Sequence, residues 1–484
     1  MSISLKKNII FNFIGTFSKL FIPFLSFSFV SHVLKNDGIG RVNYAFSIVS
    51  FFVILAKVGI DSYGIREGAK MRDNIEKISQ FTIEMFFLSL FTTIFSVVLL
   101  LELTFLYEPF EEYRLLLLVF GVQVVFAPLN YEWLCCAYEE YVFINKRIII
   151  IQFVSLILCI VCVRDENGYL IYAIIMALAV VATNIINTSF ALHKIKIKKY
   201  DLNIIRHIKP TFILLGRSIS IEIYTHLDSV MLGLIAGSVS VGNYTMAVKL
   251  NKVFTPLISS IGAVLIPRLS YWISKGEDEK RRRAIYKSSK IVWMLALPTV
   301  CYLEIFNYFC VELIGGSSFL SAGRTMQIIS PVTLLIPLST IINDQILIPF
   351  KKEKAVLYTT LGGAIVNIIA NYFLIKLYNE NGAAVATVLS EIVVLAIGLF
   401  YAKEFINIKK IIACCGKYLI ATIITGLFMC SVIYILNIDP ISFFNIGIGF
   451  AGVIVYIVIL MILKDDIVKA IFDLLKRKRK KCVE

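Results

Sequence analysis

No stretch of this 484-residue chain is both polar and long enough to form a soluble domain. That absence settles how its net charge of +15 should be read, because a basic-patch nucleic-acid binder needs a soluble domain to carry the patch. Also missing are a phosphate-cradling Gly-x-x-x-x-Gly-Lys-Ser/Thr loop, a His-Glu-x-x-His pair and a Gly-x-Ser-x-Gly elbow. Nothing in the chain is equipped to hydrolyse ATP, and no cofactor is implied. The ten cysteines form no disulfide framework. Cys135–Cys136 and Cys414–Cys415 fall at expected cytoplasmic helix ends, where thiols stay reduced. Cys159 and Cys162 stand on an apolar run with no second pair or nearby His, so they read as packing residues and not as a metal site.

What the chain has instead is apolar length. Its hydrophobic fraction is 58% and its mean hydropathy +0.82, outside the range of soluble globular proteins. Apolar runs long enough to cross a bilayer recur at roughly 9–33, 42–62, 80–101, 113–134, 143–163 and 169–192. They continue at roughly 210–235, 242–267, 290–311, 324–348, 357–377, 383–402, 417–437 and 441–463. The gaps after even-numbered runs are rich in Lys and Arg, and the others are nearly empty of them. Basic loops stay cytoplasmic, so the reading is an all-α polytopic membrane protein of about fourteen transmembrane helices with both termini inside. The short basic segment Met1–Lys7 precedes a first run too long for a signal-peptide core and without a small-x-small cleavage site, so that run is expected to remain as the first span. The basic tail, Lys476 to Lys481, reads as a solvated end lying on lipid headgroups.

A weak internal repeat organises the runs. Gly15 opens a span leading to Gly40-x-x-Asn43-Tyr44, and Gly216 opens one leading to Gly242-Asn243-Tyr244. Glu166-Asn167-Gly168 precedes span six, and Glu380-Asn381-Gly382 precedes span twelve. Six spans per repeat is an even number, so the halves are parallel repeats, with a substrate path expected between them. The expected divisions are 1–200 for the first lobe, 201–405 for the second, and 406–484 for two extra helices and the tail.

Ionisable residues inside a membrane cost roughly 3 kcal/mol each on insertion scales and are functional candidates by default. They cluster in spans one, two, seven and eight. Asn12, Thr16, Lys19, Pro23 and Ser26 share a face of span one, and Asn43, Ser47, Ser50, Lys57 and Asp61 share a face of span two. Arg217, Tyr224 and Asp228 form one stripe of span seven, with Glu222 and His226 on the opposite side. Span eight carries Lys249, Asn251 and Lys252. Lys19 lies too centrally to snorkel easily, whereas Arg217 reads either as cavity lining or as shallow enough to reach headgroups. Lys57 and Asp61 read either as a structural ion pair or as cavity lining. Glu222 and His226 read either as a neutralising pair or as a proton-coupling site, and no metal-ligand spacing accompanies the His. Lys19, Lys57, Arg217, Lys249 and Lys252 outnumber Asp61 and Asp228, and a wet cavity so lined attracts an anion such as phosphate. With no ATP site, energy must come from an ion gradient or from the substrate's own gradient. Pro23, Pro256 and Pro298 inside spans allow flexure.

At Gly59-Ile60-Asp61-Ser62-Tyr63-Gly64-Ile65-Arg66-Glu67 the sequence resembles the polysaccharide-transporter family of oligosaccharide flippases. These are Wzx-type proteins of the multidrug/oligosaccharidyl-lipid/polysaccharide (MOP) superfamily, which tend to read Gly-x-x-x-Tyr-Gly-x-Arg there. Glu132-Trp133-Leu134 followed by Glu139 to Arg147 is similar to the family's block after span four. So are Tyr224 to Gly233, then Val241-Gly242-Asn243-Tyr244, Ala247 and Lys249, and finally Asn343 to Pro349 in span ten. The resemblance implies a MATE-like arrangement of two six-helix lobes in pseudo-twofold relation. It further implies a non-enzymatic flippase that moves undecaprenyl-diphosphate-linked oligosaccharide, an O-antigen or capsule precursor, across the bacterial cytoplasmic membrane by alternating access. Lys19, Arg217, Lys249 and Lys252 would hold the diphosphate. Lys57, Asp61, Arg66, Tyr224, His226 and Asp228 complete the candidate site, with Asp61 and Asp228 setting charge balance or coordinating H+ or Na+. Tyr44, Tyr224 and Tyr244 are expected to face the sugars. Membrane lipids and polysaccharide-polymerase machinery are the remaining implied partners, with no nucleic acid. Rival readings are a cation-coupled multidrug or lipid II exporter of the same superfamily, and a membrane glycan polymerase or ligase. The latter is disfavoured by outer loops of only about ten residues, shorter than catalytic insertions.

Overall fold

A backbone crossing hydrocarbon finds no water for its N–H and C=O groups, so each apolar run must close its hydrogen bonds on itself as a helix. The computed structural model describes residues 5–470 except Val264, with the side chains of 5–20, Arg217, 260–263, Ile266 and Pro267 also left undescribed. The tail run Lys476 to Lys481 lies outside the described residues. Among those described, all regular structure is helical. The chain is a multi-pass membrane protein, and its contacts divide it into two compact units, Met1–Thr245 and Met246–Glu484.

The first unit opens with α1 (Leu5–Lys57), whose 53 residues exceed any single crossing. Lys35, at φ 58° and ψ −172°, breaks it into the two expected spans. The gap expected between them is therefore helical on both sides of one residue. After α1 come α2 (Ile60–Met71), α3 (Ile75–Leu106), α4 (Arg114–Val125), α5 (Glu132–Ala137), α6 (Tyr141–Cys162), α7 (Tyr169–Lys194) and α8 (Ile205–Ala236). Small hydroxyl residues fasten α3 to α1: Ser96 donates to the Phe52 carbonyl at 2.7 Å and Thr92 to that of Ala56 at 2.7 Å. The packing unit runs past the 200/201 division expected from the repeat, because α8 lies along α1.

The unit boundary falls within α9 (Ser238–Ala263). The second unit continues with α10 (Ile266–Ser274), α11 (Asp278–Ile305), α12 (Asn307–Gly315), α13 (Ala322–Ile329), α14 (Val332–Thr340), α15 (Glu353–Ala402), α16 (Ile408–Ala413), α17 (Gly416–Ile435) and α18 (Phe444–Ile462). Expected span nine is a bent pair, α11 and α12 meeting at 78°. Expected span ten is three pieces, α13, α14 and a π-helical turn over Ile341–Leu347. Hydropathy cannot see such breaks, because the apolar run continues through them. Asn379 divides α15 as Lys35 divides α1. The extra pair α17 and α18 packs on α11, where Gly449 admits the Tyr302 ring, and the Tyr456 hydroxyl donates to the Met294 carbonyl at 2.9 Å.

Ten described helices are long and apolar enough to cross a membrane, eleven with the bent pair. The sequence count of fourteen runs is larger because α1 and α15 each hold two runs and α9 is not among the ten. Large apolar side chains such as Phe91, Phe95, Phe153, Phe373 and Phe450 stand exposed, as lipid-facing residues do.

Candidate functional site

The candidate residues separate into small polar nodes. At the end of α1, Lys57 Nζ lies 3.4 Å from Asp61 Oδ2, and Asn130 Nδ2 donates to Asp61 Oδ1 at 2.7 Å. The one-turn spacing read from sequence does form a pair, and Asn130 supplies its third member. Ile60, Met85, Phe86, Tyr131 and Trp133 wall the same crevice.

A second node joins α1 to α8. Ser47 Oγ lies 3.3 Å from His226 Nδ1, and His226 Nε2 lies 3.7 Å from Glu222 Oε1. The edge of the imidazole meets Phe46 at 5.7 Å between centroids. His226 therefore bridges an acid on its own helix and a hydroxyl on the neighbouring one. In the third node Tyr244 donates its hydroxyl to Asp228 Oδ2 at 2.6 Å, with Asp228 only 7% exposed.

Two aromatic expectations need correcting. Tyr44 is 1% exposed, its ring filling the space over Gly233 and meeting Tyr113 edge-on at 4.7 Å. Tyr244 is likewise buried and spends its hydroxyl on Asp228. Both rings are buried in this state, Tyr44 by packing and Tyr244 with its hydroxyl held by Asp228. Tyr224 stays half-buried on α8.

Arg66 is not drawn into an interior site. Its guanidinium, 57% exposed, donates to Glu67 at 2.9 Å and lies over the Tyr63 ring, while Lys70 takes the other side of Glu67 at 3.0 Å. The side chains of Lys19 and Arg217 lie outside the described residues. Lys249 and Lys252 stand on α9, half-buried and exposed. Between them Asn251 is buried and accepts from Thr333 at 2.8 Å.

The repeated Gly and Asn-Tyr motifs acquire a structural meaning. Gly40 lies against the Ser238 carbonyl and Gly242 against that of Asn36, so closely that a Cβ would fall 1.8 and 1.9 Å from those oxygens. Asn36 donates to Asn243 at 3.5 Å, and Ser238 hydrogen-bonds Asp37. The copy of the motif at the Lys35 break thus packs backbone to backbone against the copy at the start of α9.

Sequence reasoning missed a buried network at the other end of α1. Glu84, with no exposed side-chain surface, takes Arg206 Nη2 at 2.6 Å, His207 Nε2 at 2.8 Å and the Asn203 amide at 2.9 Å. His207 Nδ1 meets the Tyr63 hydroxyl at 2.8 Å. The segment after α7 is laid along α3 by these contacts, by Ser79 accepting the Lys196 amide at 2.9 Å and by Lys198 on Glu76 at 2.6 Å. The Glu76 carboxylate raises the pKa of the Lys198 ammonium. Glu84 interrupts an apolar run, and that signal could have found it. So could the signal at Glu391, a 2%-exposed carboxylate in α15. Arg147 is a further buried charge, held by Glu132 at 2.7 Å and by Asn187.

With this geometry established, comparison with known proteins places the chain. The family profile described as Polysaccharide biosynthesis protein matches residues 5–272, and that described as MatE matches 214–373. A protein of Escherichia coli (strain K12) named as an O-antigen transporter is 20% identical over 425 residues, covering 85% of this chain and 99% of that protein. Lipid II flippase MurJ of Bacillus subtilis (strain 168) is 26% identical over 159 residues, 32% of this chain and 29% of that protein. Among solved structures, lipid II flippase MurJ in an inward closed conformation gives a TM-score of 0.78 at 14% identity, over 95% of this chain and 100% of that one. An inward-facing MATE family transporter of the MOP superfamily gives 0.62 at 14% identity, over 84% and 98%. The all-helical MATE-like fold read from the sequence is the fold these structures share.

Proposed function

The chain belongs to the polysaccharide biosynthesis protein family, and on that premise we propose that it is a flippase for lipid-linked oligosaccharide. Its substrate is an undecaprenyl-diphosphate-linked repeat unit of an O-antigen or capsule, carried between leaflets of a bacterial cytoplasmic membrane by alternating access. The observation that carries this reading is the set of ionisable side chains, Glu222, His226 and Asp228, inside one bilayer-length helix. Such groups are costly in hydrocarbon and persist where they line or gate a polar path. The near-complete coverage of the O-antigen transporter supports the substrate class.

Within this reading Lys19, Arg217, Lys249 and Lys252 take the diphosphate, because ammonium and guanidinium groups bind phosphate oxygens well. Lys57 and Asp61 belong to the inner end of the path, and Tyr224 and His226 to its wall. Asp61 and Asp228 already carry hydrogen bonds from Asn130 and Tyr244, which suits a charge-balancing role. The backbone junction of Gly40 and Gly242 lies at the end expected to face outward, and the energy for transport comes from an H+ or Na+ gradient or from the substrate's own gradient.

The experiment is complementation of a deletion strain with Lys19→Ala, Arg217→Ala and the Lys249→Ala/Lys252→Ala pair, with membrane levels of each variant measured. Surface glycan falls at least about tenfold per variant if a contact to the diphosphate is lost. Undiminished glycan in all of them removes the proposed clamp.

A further inference from the structure

A cavity of about 400 Å³ opens where α11, α16, α17 and the chain after α18 come together, lined by Tyr286, Lys290, Lys410, Lys417, Tyr418 and Asp465 among others. Its one lining carboxylate is already engaged. Asp465 Oδ2 accepts the Tyr418 hydroxyl at 2.9 Å, and its Oδ1 accepts the amides of Ile467 and Val468 at 2.9 and 3.2 Å, capping the helical turn that follows. Lys417 Nζ reaches the Leu463 carbonyl at 3.1 Å, and Lys290 Nζ lies 3.3 Å from Asp466. Lys410 has no carboxylate within ion-pair reach among the described residues. Three lysines therefore line one opening against two carboxylates, Asp465 and Asp466, and the excess positive charge attracts an anion.

Its depth says which anion. Lys290 marks the start of the apolar part of α11, Lys417 follows the first residue of α17, and Leu463 follows the last residue of α18. Three apolar helices thus begin or end at this cavity, at the level where hydrocarbon gives way to headgroups. Below it, Ile420 and Ile423 on α17 and Ile462 on α18 stand exposed, an apolar wall on which acyl chains can lie. Basic pockets between helix ends on the inner face suit the headgroups of anionic lipids.

We propose that this cavity holds the phosphate of an anionic phospholipid, clamped by Lys290, Lys410 and Lys417, with its acyl chains along α17 and α18. The site is independent of what the chain transports. It ties the extra helix pair to α11 through a lipid, and it gives the two C-terminal helices a role in sensing the charge of the inner leaflet.

The test is native mass spectrometry of the full chain released from nanodiscs of phosphatidylglycerol or of phosphatidylcholine. The chain retains phosphatidylglycerol preferentially, and Lys410→Ala/Lys417→Ala lowers that retention roughly tenfold while leaving phosphatidylcholine unchanged. Arg at both positions restores it. Both lysines are exposed, so the variants fold, and an unchanged melting temperature in lipid-free detergent verifies this. Retention equal in variant and wild type overturns the site. So does displacement of the lipid by inorganic phosphate alone, or occupancy by a polyprenyl diphosphate with no retained phosphatidylglycerol.

Discussion

Gly242 and Asn36 are in backbone contact: a Cβ on Gly242 would lie 1.9 Å from the Asn36 carbonyl oxygen. That oxygen belongs to the main chain beside the Lys35 break and cannot swing aside as a side chain would. Gly242→Ala should therefore force the start of α9 away from α1 and prevent closure at this end. The check is accessibility of a cysteine introduced at Val239, which is exposed, and at Val241, which is buried. Labelling of the Val241 position should rise several-fold in the Gly242→Ala background while that of Val239 stays unchanged.

The Asp228–Tyr244 hydrogen bond should behave as a coupled unit. Removing one partner deletes this buried hydrogen bond, at a cost of about 1 kcal/mol or more. Asp228→Asn keeps an acceptor and should be milder than Asp228→Ala, and Tyr244→Phe in either background should be non-additive. A double-mutant cycle on thermal stability measures the coupling, and strict additivity would show that the two side chains act separately.

The Glu84 network makes a sharper prediction. Glu84→Ala strips Arg206, His207 and the Asn203 amide of their common partner; Arg206 is half exposed, so the loss is that of buried polar groups left unbonded, about 1–3 kcal/mol each. The segment 195–204 should then lift from α3, and limited proteolysis should cut it well before the membrane helices. Glu84→Gln, which keeps one acceptor oxygen, should be cut more slowly than Glu84→Ala.

Gly64 gives a test of how α2 is seated. A Cβ there would lie 2.5 Å from the indole of Trp133, which is fully buried. Gly64→Val should cost about 1–3 kcal/mol by overpacking. Trp133→Leu in the same chain should recover part of the loss, readable as a rise in melting temperature over the single variant.

Sequence reasoning reached what is local or periodic. The apolar runs became helices, and the pair Glu222–His226 formed because i and i+4 side chains of one helix face each other; Lys57 and Asp61 meet instead across the break at Val58 and Gly59 that ends α1. The breaks at Lys35 and Asn379 fall in the gaps expected between runs, at 34–41 and 378–382, whereas the bend between α11 and α12 escaped, since an apolar run does not report where its backbone turns. Gly40 and Gly242 were visible as a repeat, but their apposition is a fact about packing at a sequence distance no pattern spans. Tyr44 and Tyr244 were misplaced for a related reason: an aromatic residue near a charged stripe fits a sugar wall and a packed core equally well until its neighbours are known. Glu84 obeyed the rule that flags intramembrane charge and was passed over in favour of the stripes.

The leaflet distribution of the lipid-linked oligosaccharide tests the central claim most directly. In cells depleted of this chain, the undecaprenyl-diphosphate-linked repeat unit should accumulate where an inner-face probe reaches it and an outer-face glycosidase does not, with lipid II distributed as before. An unchanged oligosaccharide distribution, or lipid II accumulating in its place, contradicts the account.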